Sequence, residues 1–144
     1  MNIKVPLSKP FIDQREIDAV VEVMKSSTLS LGPKTVEFEE KFAALMGSKY
    51  AVAVNSGTSG LHLAIRALGI NPGDEVITTP FSFIASSNCI LFEGATPVFV
   101  DAEEETFGMD TSQIESKITE RTKAILPVHV FGHPCHMDKV MEIA

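Results

Sequence analysis

Two stretches near the start of the chain repeat apolar residues at helical spacing. Ile17, Val20, Val21 and Met24 fall at i, i+3, i+4 and i+7, which predicts a helix over residues 14–27 with one buried face and Asp13 as its N-cap. Residues 26–32 read as a loop. Pro33 suits the first turn of a second helix, whose Phe38, Phe42, Leu45 and Met46 line one side and which Gly47 is placed to end. Ahead of both, residues 5–11 carry two prolines and read as an extended arm.

The rhythm changes at Tyr50. Short apolar runs at 50–54, 75–79, 97–100 and 124–128 predict strands, and helical segments at 58–68, 82–92 and 110–118 lie between them. Asn71-Pro72-Gly73-Asp74 is a turn signal, and Asp110 with Gln113 resembles a capping box. A last helix starts at Met137, with Val140, Met141 and Ala144 on the same side. It reaches Ala144 with no cap or exit signal, so the chain is expected to be the front part of something longer. Strands alternating with helices predict an α/β fold, a mostly parallel sheet with helices on both faces. Ligands of such sheets bind beyond the carboxyl ends of the strands. The segments 56–60, 80–83 and 129–133 all follow predicted strand ends, and the reading brings them to one crevice.

Composition narrows the partners. The 144 residues hold 12 Lys and Arg against 19 Asp and Glu, a net charge of −7 with no basic run. That argues against nucleic acid and against anionic membranes. No apolar run approaches the ~20 residues of a membrane span. The first ten residues lack the apolar stretch of a signal peptide. Cys89 and Cys135 stand in unrelated contexts and read as reduced thiols, which points to a cytoplasmic protein.

The chemistry concentrates in residues 50–68, an apolar run followed by Asn55-Ser56-Gly57-Thr58-Ser59-Gly60 and an amphipathic helix. The first amides of a helix have no backbone partner, and the helix dipole favours negative charge beside them. Gly57 and Gly60 admit a close ligand, and Ser56, Thr58 and Ser59 add hydroxyls. A phosphate site and an ordinary strand-to-helix turn with good capping residues both fit this pattern. Neither G-x-x-x-x-G-K-[ST] nor G-x-G-x-x-G is present, which excludes the two commonest nucleotide fingerprints. Phe81 and Phe83 sit just past the next strand end. At most one of them faces a flat heteroaromatic ring, and the other packs.

These pieces, in this order, resemble the DegT/DnrJ/EryC1/StrS family of pyridoxal-phosphate-dependent sugar aminotransferases. The resemblance is carried by Pro6-Leu7-Ser8-Lys9-Pro10, Leu29-Ser30-Leu31-Gly32-Pro33, the Asn55–Leu61 turn, and Pro72-Gly73-Asp74-Glu75. It continues through Thr79-Pro80 with Ser82-Phe83, Gly94-Ala95-Thr96-Pro97, and Thr122 to His129 followed by Phe131-Gly132.

The resemblance implies the partial large domain of a fold-type I transferase, with an N-terminal arm and helices over 1–48 and the first part of the cofactor domain over 49–144. It implies pyridoxal 5′-phosphate as cofactor. Ser56, Gly57 and Thr58 would grip its phosphate, Phe83 would stack on its ring, and Phe81 would pack. Leu31 and Gly32 would lie at the substrate entrance near a homodimer interface. His129 would lie near the cofactor, and a purely structural, hydrogen-bonded histidine is an equal reading. The substrates implied are a nucleotide-linked keto-sugar and an amino-acid donor, glutamate by family habit. The Schiff-base lysine and the aspartate on the pyridine nitrogen fall beyond the matched region. No catalytic residue is therefore assigned, and the 144-residue chain is expected to be inactive.

In the family's seven-stranded sheet, strand 50–54 is separated from the other three by strands missing here. That predicts self-association or local rearrangement. Three rivals stand beside this reading: a zinc site built from His129, His133, Cys135 and His136, against the expectation of no metal; a non-catalytic binding protein that keeps the phosphate cup; and a sugar dehydratase of the same fold, with histidine in the lysine's place.

Overall fold

The computed structural model describes residues 8–144 and divides into two units, Met1–Ala53 and Val54–Ala144. Residues 5–7 of the expected arm lie outside the described residues, and 8–13 have no regular structure.

The first unit holds helices α1 (Gln14–Lys25) and α2 (Pro33–Met46). The caps are those the sequence predicts. The Asp13 carboxylate accepts the Arg15 amide at 2.8 Å, and the Glu16 carboxylate accepts the Asp13 amide at 2.7 Å, which closes a capping box. Pro33 takes the first position of α2, and Gly47 ends it at φ 63°, a left-handed conformation that costs glycine nothing. The side chains of Lys41 and, next, Lys34 flank Glu37 and hold its carboxyl down at about 2. The expected burial is not found. No residue of α1 is buried, and of α2 only Ala43 is. Ile17, Val20, Val21 and Met24 are all exposed, as are Phe38, Phe42, Leu45 and Met46. Spacing creates an apolar stripe, but burial also needs a second surface to cover it.

The predicted strand at 50–54 is also absent. Residues 51–54 have no regular structure, and the Ala53 amide donates to the Glu39 carboxylate at 2.7 Å. A strand exists only by pairing, so an alternating run with no neighbour stays a coil.

The second unit contains α3 (Gly57–Ala67), β1 (Glu75–Thr78), α4 (Ala85–Leu91), β2 (Thr96–Phe99), α5 (Ile114–Lys117), β3 (Thr122–Leu126) and α6 (Met137–Ile143). The strands form one parallel sheet in the order β2-β1-β3. Every residue of the central strand β1 is buried. Val76 joins Ile65, Ile70, Cys89, Ile90 and Ala95 in a core beneath α3 and α4. Ile77 points the other way, to Val100, Met109, Ile114 and Val140 under α5 and α6. Alternation along β1 thus feeds two cores, and helices cover both faces as the α/β reading requires. Pro97, with no amide hydrogen, is tolerated because β2 is an edge strand. The predicted helix at 110–118 is a short 3-10 turn running into α5. Gln113 donates to the Asp110 carboxylate rather than accepting its backbone amide, so this start is not the capping box expected.

The order β2-β1-β3 has a consequence for ligands. The chain leaves β1 for its neighbour on one side and returns from β2, across β1, to β3 on the other. Right-handed crossovers in opposite directions put the connecting helices on opposite faces. The exits of β1 and β3 therefore diverge, β1 toward α4 and β3 toward α6, and a crevice opens between their carboxyl ends.

Candidate functional site

A cavity of about 550 Å³ occupies that crevice, within the range of small-molecule sites. Its walls come from the two segments that leave β1 and β3: Pro80, Phe81, Ser82, Phe83 and Ser86 on one side, Val128 to Phe131 on the other. The Thr78 hydroxyl donates to the Leu126 carbonyl at 2.9 Å and ties the two strand ends together beneath it.

The two phenylalanines take different positions. Phe81 packs edge-on against Phe131 at 6.2 Å and tilted against Phe107 at 5.8 Å. Phe83 is 76% exposed, and among the described residues no aromatic ring packs against it. Its ring face is available to a planar guest. Beneath it, the Ser82 and Ser86 hydroxyls pair at 2.7 Å, and Ser82 donates to the Phe83 carbonyl at 3.3 Å. These bonds fix the short turn that carries Phe83.

The N-terminus of α3 is prepared in a second way. Ser56 is the N-cap, and its Oγ accepts the Ser59 amide at 3.1 Å. The Ser59 hydroxyl donates to Asn55 Oδ1 at 2.6 Å and locks the turn. With Ser59 satisfied, the Gly57 and Thr58 amides are left with no acceptor inside the helix. A Cβ built on Gly57 would meet nothing within 4 Å, so the approach to these amides is open. This is a helix mouth shaped for an anion. Ser56, Gly57 and Thr58 do not line the cavity that holds Phe83. The single crevice read from the sequence is therefore built from the exits of β1 and β3, with the α3 turn outside its walls. In the first unit, Gly32 caps α2 and Leu31 is 90% exposed with φ 49°.

His129 lines the cavity, and Cys135, read from the sequence as a reduced thiol or a zinc ligand, contacts it through its backbone. The Cys135 amide donates to His129 Nδ1 at 3.1 Å, and Cys135 Sγ donates to the Val128 carbonyl at 2.9 Å. The six-residue interval with Gly132 and Pro134 inside it was the available signal for a loop folding back. Among the described residues, no three His, Cys, Asp or Glu side chains are grouped to hold a metal ion. No lysine stands among the cavity's lining residues. Both cysteines are free and buried, and burial pushes the Cys89 thiol above its ordinary range. No helix among the described residues is long and apolar enough to cross a membrane.

Known proteins are similar to this chain in sequence and fold. The chain is 49% identical over 140 residues to the spore coat polysaccharide biosynthesis protein SpsC of Bacillus subtilis, which covers 97% of the chain and 36% of SpsC. It is 46% identical over 142 residues to the GDP-perosamine synthase of Caulobacter vibrioides, covering 98% of the chain and 38% of that enzyme. The chain thus spans little more than a third of the length of these relatives. Its fold superposes on the PLP-form of Spr1654 from Streptococcus pneumoniae with a TM-score of 0.90 at 40% identity, over 96% of this chain and 36% of that one. Pyridoxal phosphate is the cofactor of such structural neighbours. From residue 10 to residue 144 the sequence matches the profile of the DegT/DnrJ/EryC1/StrS aminotransferases, and the chain belongs to that family.

Proposed function

We propose that these residues form part of a pyridoxal-phosphate-dependent aminotransferase that moves an amino group from an amino acid, glutamate in the first instance, to a nucleotide-linked keto-sugar. The observation that carries the reading is the exposed Phe83 ring over a cavity at the strand exits, in a fold that also offers the open amides of α3. These residues fit the cofactor's parts: a planar face for the ring, and amides with hydroxyls for the phosphate. In this reading Ser56, Gly57 and Thr58 hold the phosphate and Phe83 holds the ring. Leu31 and Gly32 border the substrate entrance. When bound, pyridoxal phosphate supplies an electron sink for amino-group transfer. Ser56, Gly57, Thr58 and Phe83 bind and orient it. The cofactor-linked lysine is assigned to sequence outside these 144 residues, so the chain by itself is inactive. In the same reading residues 1–48 are arm and helices, 49–144 begin the cofactor domain, and the protein works in the cytoplasm as a homodimer.

The test is titration of the 144-residue protein with pyridoxal phosphate, followed by absorbance. Saturable binding that inorganic phosphate weakens, without a lysine-linked absorption band, is the expected result. No saturable binding sinks the reading. Sedimentation velocity tests the dimer, since the exposed stripes of α1 and α2 should drive concentration-dependent association. A monomer at all concentrations counts against it.

A further inference from the structure

His129 is the one cavity-lining side chain with a ring nitrogen already taken by the backbone. A backbone amide can only donate, so Nδ1, facing the Cys135 N–H at 3.1 Å, must present a lone pair. The ring proton then sits on Nε2. Among the described residues, Nε2 has no hydrogen-bond partner. The lock is firm because Cys135 is itself held: it is 6% exposed, and its thiol donates to the Val128 carbonyl next to His129. A zinc site at His129 and Cys135 would need the Cys135 sulfur free of the bond it makes to the Val128 carbonyl.

We propose that His129 is a tautomer-locked donor, offering Nε2–H to an oxygen acceptor on the cofactor ring stacked over Phe83. This rests on the pyridoxal-phosphate reading and deepens it. The cofactor is thereby assigned three separate contacts: the α3 amides for its phosphate, Phe83 for its ring face, and His129 for a ring oxygen. A histidine free to exchange tautomers would present a lone pair part of the time and repel that oxygen. The Cys135 amide removes that option before any ligand arrives.

Two substitutions separate this role from a structural one. Asparagine places its amide near the Nδ1 position, so His129→Asn keeps an acceptor for Cys135 and loses the far donor. Glutamine reaches the Nε2 position, so His129→Gln keeps the donor and loses the lock. Pyridoxal-phosphate affinity, measured by equilibrium dialysis, should fall about tenfold in His129→Asn and much less in His129→Gln, the size expected for one hydrogen bond to a charged acceptor. Thermal midpoints should run the other way, with His129→Asn the less perturbed. The reverse order of affinities overturns the proposal.

A second measurement needs no variant. Nitrogen-15 NMR of the ligand-free protein should show a pyridine-like Nδ1 and a pyrrole-like Nε2 for His129, and the opposite pattern overturns the lock. Failure of the wild-type protein to bind pyridoxal phosphate defeats the cofactor reading. Tight wild-type binding with unchanged affinity in His129→Asn defeats only this one.

Discussion

Replacing Phe83 with alanine separates binding from folding. The ring is 76% exposed, so its removal opens no cavity in either core and should change stability by no more than about 0.5 kcal/mol. Its effect should fall on the cofactor. A phenylalanine offers roughly 200 Å² of surface, of which one stacked face covers about 50 Å². At ~25 cal/mol per Å² that is about 1.2 kcal/mol. The stacking geometry adds roughly 0.5–1.5 kcal/mol beyond the area. The sum, about 2 kcal/mol, corresponds to roughly a thirtyfold weaker dissociation constant for pyridoxal phosphate. Equilibrium dialysis against the wild type measures it, with urea unfolding of the ligand-free proteins as control. Phe83→Tyr keeps the face and should bind within about threefold of wild type. Unchanged affinity in Phe83→Ala would refute the stacking role. A large loss of stability would show instead that the ring packs in a way the exposure does not reveal.

Three further outcomes follow from particular contacts. Ser56→Ala removes the N-cap of α3 and should cost about 1 kcal/mol in urea unfolding, while Ser56→Gly should cost only tenths; equal costs would show that the Oγ bond is idle. Gly94→Ala forces an L side chain to φ 71° with its Cβ 3.0 Å from Pro72 Cγ, so it should lower stability by about 1–2 kcal/mol, and an unchanged urea midpoint would contradict the geometry. Glu75 bears on acid stability. Its carboxyl is held below its ordinary 4.5 by the Thr119 hydroxyl first and Arg121 next, against the effect of burial. Its contribution is therefore complete above 4.5, the value in the unfolded chain, and is lost as pH falls through the lower folded value. Thr119→Val should flatten that acid loss in urea midpoints taken across the interval, and an identical slope would refute the assignment.

Much of the local structure was legible in advance because its causes are local. Asp13, Pro33, Gly47 and Ser56 act on the backbone within four residues, and all four sit at the helix ends where their chemistry places them. The strands at 75–79 and 97–100 were read within a residue, and β3 begins two residues before the run at 124–128 because Glu75 pairs with Thr122. The distinction between Phe81 and Phe83 needed the family resemblance, since two phenylalanines two residues apart look alike in a pattern. The burial of α1 was misread because an amphipathic stripe declares a preference, not a partner.

By itself the sequence determined which segments are helical, how they are capped, that alternating elements make an α/β sheet, and which family the chain belongs to. These follow from neighbours along the chain and from motifs in a given order. Only the tertiary structure decided the order β2-β1-β3, and with it the place of the cavity. It also decided that 50–54 remains unpaired among the described residues, and which ring nitrogen of His129 faces the Cys135 amide. Each of these depends on a partner distant in sequence or absent from it: a strand across the sheet, a neighbour for an edge, an amide six residues on. Periodicity records what a residue prefers to touch, and folding selects what it touches.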